Sequence, residues 1–423
     1  MMLKRFGVIA FLSLALTGSG VADAADLFRW VQYSPTGLEA RAITESEACP
    51  ALVVDGVSVA MQLRSTRGEN YPIAVCTAAI PSGTKRASID KTPLPLPVEH
   101  PNRILVIGDT GCRLKGKVTQ ACNDAALWPF RIGADIGAEL KPDLVLHVGD
   151  FHYRESACPD GNDGCAGSPY GDSWAVWRAD FFAPAELLLN TAPWIFVRGN
   201  HEECDRGGKG WARTLDPYPW DASSGASGCL GPAKPFAVKL PGLSIAVMDV
   251  STADDAKANP LQVAHYKQEF ESIRTLAPEG PVWLAFHRPI WTADGTEEAE
   301  KSGGDNKTLA AAASGSIPAN VQAIFSGHQH KFEVDAYEQD LPIQIVSGHG
   351  GDNLEAKPPE NPAGLVINGV TIKNGFAKPR TFGFAMMERA KDGPDDQWTI
   401  TDYDTHGHVL GACKLIGRAV ECH

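Results

Sequence analysis

Positive charge is scarce in this chain: 38 Lys and Arg stand against 51 Asp and Glu, a formal charge of −13. Such a surface repels nucleic acid and anionic lipid, so no nucleic-acid partner is expected, although net charge says nothing about a single cleft. Long apolar runs are also lacking. After residue 24 nothing approaches the ~20 residues that a spanning helix needs. No C-x-x-C pair occurs among the ten cysteines, which argues against a cysteine metal site. There is no P-loop, no dinucleotide fingerprint and no Ser-His-Asp order, and the Gly-rich segments lack the strand-to-helix context those motifs require.

What is present begins with a leader. Lys4 and Arg5 precede a mostly apolar run from Phe6 to Leu16, and Ala22-Asp23-Ala24 follows. The run is too short to span a bilayer, so residues 1–24 read as a secretory signal peptide removed after Ala24. The mature chain is then expected to be periplasmic or secreted, with no membrane attachment. Its loss removes Lys4, Arg5 and Asp23 and leaves the balance slightly more acidic. All ten cysteines lie beyond it, and an even count in an exported chain implies a disulfide framework. Ten cysteines allow roughly 945 pairings by extension of the usual series. The simplest scheme joins neighbours: Cys49–Cys76, Cys112–Cys122, Cys158–Cys165, Cys204–Cys229 and Cys413–Cys422.

Residues 26 to about 88 carry short alternating runs such as VVDGVSVAMQL between turn residues and read as a small all-β module. The proline-rich KTPLPLPVEHP that follows favours an extended linker, so the chain divides into a β module with linker, 26–98, and a larger unit, 99–423. In that unit strands alternate with helical stretches, CNDAALWPFRIGADIGAELK and PLQVAHYKQEFESIRTLA among them, which implies a mixed or parallel sheet covered by helices. FGFAMMERA and DQWTITDYDT read as strands closing a sheet edge. Segments 154–173, 204–235, 293–318 and 350–379 read as long site-shaping loops without secondary structure. Asn306-Lys307-Thr308 matches a glycosylation acceptor.

Five apolar runs end abruptly in residues able to ligate metals: ILVIGD to Asp109, VLHVGDFHY through Asp150 to Tyr153, WIFVRGNHE through Asn200 to Glu202, VWLAFH to His287 and AIFSGHQH through His328 to His330. Open α/β sheets place their sites at the carboxyl ends of strands, so five such ends describe one site. Two cations about 3.5–4 Å apart can clamp a phosphoryl group and acidify a water between them. Holding two like charges together requires a bridging carboxylate, a role that Asp150 fits by its position and by what the family resemblance of the next motifs implies. Imidazole with carboxylate or amide oxygen suits iron, zinc or manganese rather than calcium or magnesium.

GDTG at 108, GDFHY at 149, GNHE at 199, FH at 286 and GHQH at 327 resemble, in order and spacing, the five motifs of the calcineurin-like metallophosphoesterases. The first motif of that superfamily is usually Asp-x-His, whereas here it is Asp109-Thr110-Gly111. A tyrosine three residues after Asp150 supplies a replacement ligand, and both departures are those of the purple acid phosphatases. The resemblance implies a four-layer α/β (α+β) sandwich of mixed sheets flanked by helices, with a small all-β module in front. The module is similar, in architecture alone, to the fibronectin-like domain of the larger members.

That resemblance implies a first metal, Fe(III), on Asp109, Asp150, Tyr153 and His330, and a second, Fe, Zn or Mn, on Asp150, Asn200, His287 and His328. His201 would sit beside the substrate, stabilising the oxyanion or protonating the leaving group, or else orient a ligand. His152 is open between a catalytic and a structural role. Arg206 and His349 are candidate phosphate contacts. The plant enzymes carry histidines shortly after the position of His287, where this chain has Trp291 and Thr292. The implied activity is hydrolysis of a small phosphate monoester by metal-bound hydroxide. The alternatives are a phosphodiesterase on the same fold and a secreted binding module with a decayed site. The sequence leaves the oligomeric state open.

Overall fold

A computed structural model describes residues 27–220, 229–293, 306–354, 358–390 and 396–423, so the expected leader at 1–24 lies outside the described residues. Two large sheets carry the fold. The first has eleven strands, in the order Ala419–Cys422, Val409–Ile416, Gln397–Asp404, Gly383–Arg389, Arg103–Ile107, Leu144–His147, Trp194–Phe196, Leu27–Ser34, Gly37–Thr44, Ala74–Ala79 and Gln62–Ser65. The second has eight: Phe236–Leu240, Leu243–Val247, Val282–Ala285, Val321–Ser326, Ile343–Ser347, Phe332–Tyr337, Val370–Lys378 and Val366–Ile367. The middle strands of each sheet run parallel and the flanking ones antiparallel.

Successive residues of a strand face opposite sides, and here both sides are buried. Ile104 and Val106 enter a core shared with Trp283, Phe325 and Ile345 of the other sheet, whereas Leu105 and Ile107 meet Phe130, Phe181 and Leu188 of the helical layer. Beyond the second sheet, Ala246, Leu284 and Ile324 pack on Tyr266 and Phe270 of the Pro260–Leu276 helix and on Leu309 of the Lys307–Ala313 helix. The layers are therefore helix, sheet, sheet, helix, the four-layer sandwich expected. Double-sided burial also explains why these strands read as unbroken apolar runs.

Residues 27–93 form strands and no helices, as expected of a β module. Half of those strands build a separate four-stranded sheet over Leu52, Ile89 and Cys76, but the others extend the large sheet, with Gln32 of Leu27–Ser34 set opposite Trp194. The module is thus continuous with the catalytic sheet across the proline-rich segment.

All five cysteine pairs join sequence neighbours, and no free cysteine is found among the described residues. Each such link stabilises by about 2–4 kcal/mol, chiefly by restricting the unfolded chain. No described helix is long and apolar enough to cross a membrane.

Several sequence expectations fail. The loops at 204–235, 293–318 and 350–379 contain the Gly208–Thr214 helix, the Lys307–Ala313 helix and the Val366–Ile367/Val370–Lys378 hairpin. That hairpin turns on Asn368 and Gly369, both at positive φ, the Asn-Gly pattern of a two-residue turn. Gly383–Arg389 and Gln397–Asp404 are strands but not an edge, because the strands joined by Cys413–Cys422 lie outside them. The glycosylation reading fails too. Asn306 is 2% exposed, its Oδ1 caps a helix by accepting from Leu309 N at 2.7 Å, and its Nδ2 donates to the Ala253 carbonyl at 3.1 Å.

Candidate metal centre

The parallel strands of both sheets end on one side of the sandwich, and their ends carry the expected donors. Asp109, Asp150 and Asn200 follow strands of the first sheet; His287, His328 and His330 follow strands of the second. The Tyr153 hydroxyl lies 2.9 Å from Asp109 Oδ1, 2.9 Å from Asp150 Oδ2 and 3.1 Å from His330 Nε2. Asn200 Oδ1 lies 3.1 Å from His287 Nε2 and 2.9 Å from His328 Nδ1. The same Asp150 Oδ2 is 3.1 Å from His287 Nε2, so one carboxylate oxygen touches both groups.

The local backbone is shaped for this. Asp109, Asp150 and His328 all have positive φ, a conformation that is uncommon outside glycine and concentrates at functional sites. A Cβ on Gly199 would stand 2.0 Å from Asp150 Oδ1, and one on Gly327 would stand 2.3 Å from Asp109 Oδ2, so both positions need glycine. Two buried carboxylates that sequence reasoning missed anchor the loops. Glu202 accepts the amides of Gly199, Asp150, Phe151 and His152 at 2.8–3.1 Å. Burial lifts it to about 8, with Asp150 adding to the rise while the amides oppose it. Asp180 accepts the amides of Tyr153 and Arg154 and pairs with the Arg154 guanidinium at 2.5 Å. Glu202 stood inside the quoted GNHE motif; nothing in the sequence pointed to Asp180.

The donor set fits two cations. Each histidine uses one ring nitrogen on an outer acceptor and turns the other inward: His287 Nδ1 meets the Val148 carbonyl at 2.8 Å, His330 Nδ1 the Asn353 carbonyl at 2.7 Å, and His328 Nε2 meets Asp255 Oδ2 at 3.3 Å. Such outer partners fix the tautomer of a metal-binding imidazole. Burial opposes charge on His287 and His330, yet Asp150 outweighs it at the first and Asp352 with Asp109 at the second, holding both up to about 9. The field that retains those protons also favours metal cations. Burial, Asp109 and Asp150 push the Tyr153 phenol well above its usual value, an order that a nearby cation reverses.

Of the remaining candidates, His201 lies closest. Its ring centroid is 3.9 Å from that of Tyr153, its amide donates to Asp150 Oδ1 at 2.8 Å, and its Nδ1 is 2.8 Å from Glu155 Oε1. Burial lowers its pKa to about 4, against the pull of Asp150. Arg206 is half-buried against both His201 nitrogens and pairs with Glu155. His152 turns its Nε2 to the Gly171 carbonyl at 3.1 Å and lines, with Glu155 and Arg206, a cavity of about 520 Å³. His349 does not join them. Its fully buried ring bonds Asp402 at 3.0 Å beneath the site, which leaves it no access to a phosphate. Arg288, which the sequence reading passed over, stands 3.3 Å from His328 Nε2 and pairs with Asp255.

A four-layer sandwich with seven such donors at its strand ends defines a metallophosphoesterase. The family model of calcineurin-like phosphoesterases matches residues 102–332, and the chain belongs to that family, which works with a dinuclear metal centre. Among solved structures, a purple acid phosphatase from yellow lupin (Lupinus luteus) seeds is similar over 91% of this chain and 73% of its own, at 14% identity and a TM-score of 0.54. PhoD is similar over 94% of this chain and 91% of its own, at 11% identity and a TM-score of 0.53. At these identities the likeness is one of fold. Comparison with curated protein sequences found no match.

Proposed function

We propose that this protein is an exported phosphatase of the purple acid type, hydrolysing small phosphate monoesters. One observation carries the reading: Asp150 Oδ2 stands between the Tyr153 hydroxyl and His287 Nε2, where a carboxylate bridging two ions belongs. Asp109, Asp150, Tyr153 and His330 would hold the first ion, and Asp150, Asn200, His287 and His328 the second. Three anionic oxygens in the first set favour Fe(III), while the second suits Fe, Zn or Mn. When bound, two such ions supply Lewis acidity toward the phosphoryl oxygens and acidify water.

The chain's own groups do the rest. His201, held at both its amide and its Nδ1, presents its ring at the metal centre to stabilise charge on the phosphoryl group or to protonate the departing oxygen. Arg206, braced on Glu155, is the candidate phosphate contact. Five disulfides support an oxidising destination, periplasmic or secreted, for a chain divided into a β module at 26–98 and a catalytic unit at 99–423.

The test is a panel of aryl monoesters and bis-aryl diesters run beside metal analysis and a visible spectrum of the purified protein. Faster turnover of monoesters by a coloured, iron-containing enzyme is the expected result. Preference for diesters would assign a phosphodiesterase on the same fold, and absence of both metal and turnover would leave a binding module.

A further inference from the structure

The Gly208–Thr214 helix, which follows the Asn200–Glu202 turn, is gripped from outside the catalytic segment. The last carbonyls of a helix have no partner within it. Here five consecutive carbonyls, from 212 in the last turn to 216 just beyond the helix, are taken by three side chains of the N-terminal strands. Arg64 donates to the carbonyls of Ala212 at 2.9 Å and Arg213 at 3.1 Å, Arg41 to that of Thr214 at 2.6 Å, and Gln32 to that of Leu215 at 3.1 Å. Both arginines then share the carbonyl of Asp216, at 2.7 and 3.0 Å.

The opposite end is tied to the same segment. Asp172 accepts the amides of Lys209 at 2.8 Å and Gly210 at 3.2 Å, and it also accepts the hydroxyl of Tyr71. At this end the helix is bonded directly to the catalytic turn: Gly207 N donates to the His201 carbonyl at 2.9 Å, and Gly208 N to that of Glu203 at 3.0 Å. Any shift of the helix is therefore a shift of His201 and Arg206.

Arg41 is also paired with Glu39 at 3.0 Å, but two adjacent guanidiniums with 0% and 9% exposure remain a costly way to attach a strand to a helix, since each buried ion loses several kcal/mol of hydration. Apolar side chains of the same volume would give adhesion. What planar forks add is direction, because each N–H must meet a particular carbonyl. We infer that Gln32, Arg41 and Arg64 are positioning residues: the N-terminal strands set the place of this helix, and through it the place of His201 and Arg206 at the metal centre. The inference rests on the reading that His201 acts on the substrate.

A double-mutant cycle in the full chain with its metals bound tests it. Arg64→Met should retain both metal equivalents while kcat falls about 10-fold to 100-fold, the scale of a misplacement of about 1 Å. In a background that lacks both positioned groups, His201→Ala with Arg206→Ala, the same change should lower kcat by less than about 2-fold, because residues acting as a unit are not additive. Equal losses in the two backgrounds, or loss of metal, would overturn the inference and make Arg64 a general stabiliser. If Arg64→Met does not fold, Gln32→Leu removes one carbonyl contact, leaves both arginines and faces the same two criteria. A His201→Ala enzyme as fast as the wild type would instead overturn the reading of His201 itself.

Discussion

The side chains of Asp109, Tyr153 and His330 are themselves no more than 9% exposed, and behind His330 stands the buried Asp352, paired with Arg113, whose guanidinium lies 4.6 Å from the centre of the Tyr153 ring. On the other side of Asp150, Asn200 and His287 are as buried, but His328 is 26% exposed and its outer partner Asp255 is 43% exposed. The donors differ as well. The first half offers two carboxylates, one of them shared, a phenol and one imidazole, whereas the second offers the shared carboxylate, an amide and two imidazoles. On the proposed reading, the first half would favour the more highly charged ion and the second a divalent one.

Removing what the halves share should have the largest effect. Asp150→Ala is expected to abolish activity and strip metal from both, as read by metal analysis of the purified variant. Two equivalents retained per chain would mean that Asp150 does not bridge. Tyr153→Phe should break one half only. The ring still packs in the same place, so the fold should persist, while the visible band of a phenolate on Fe(III) disappears and metal content falls toward a single ion. A colourless wild type grown with ample iron would remove Tyr153 from the ligand set and leave the family assignment untouched.

His201→Ala should spare both halves. It is expected to lower kcat and kcat/KM together by about 10²–10⁴-fold, the usual reach of a positioned acid–base group, with metal content unchanged. Loss of metal would move His201 into the coordination sphere.

The convergence of the candidate donors was legible because each follows an apolar run, and the runs were apolar because parallel strands bury both faces. Glu202, Asp180, Asp255 and Asp352 were not, since each lies in a loop or a short helical turn whose partners are set only by the folded backbone: Asp255 meets His328 across 73 positions and Asp352 meets Arg113 across 239. The pairing of the N-terminal strands was not legible for a similar reason. A proline-rich segment marks a break in helix and sheet, but nothing local records that Leu27–Ser34 pairs with Trp194–Phe196. The Asn368-Gly369 hairpin, by contrast, was readable from its turn and was lost inside a stretch treated as loop.

The smallest expected effects sharpen the comparison between the halves. Asp352 Oδ2 stands 3.4 Å from His330 Nδ1, whose hydrogen bond goes to the Asn353 carbonyl at 2.7 Å, and Asp255 Oδ2 stands 3.3 Å from His328 Nε2, so both carboxylates set a negative charge beside the outer nitrogen of an imidazole, in different surroundings. Burial lifts Asp352 to about 6 despite His330 and Arg113, whereas at Asp255 burial is outweighed by His328 and Arg288, which hold it below the usual carboxylate range. Removing the outer partner of a metal-binding histidine costs about 10–100-fold in metal affinity. Asp352→Asn should fall near the top of that range, because no solvent can take over the lost charge beside His330. Asp255→Asn should fall near the bottom, since water reaches its position. Titration with a competing chelator, followed ion by ion, measures both. A loss in Asp255→Asn equal to or larger than that in Asp352→Asn would mean that exposure is not what separates the two halves, and the difference would then have to lie in the donors alone.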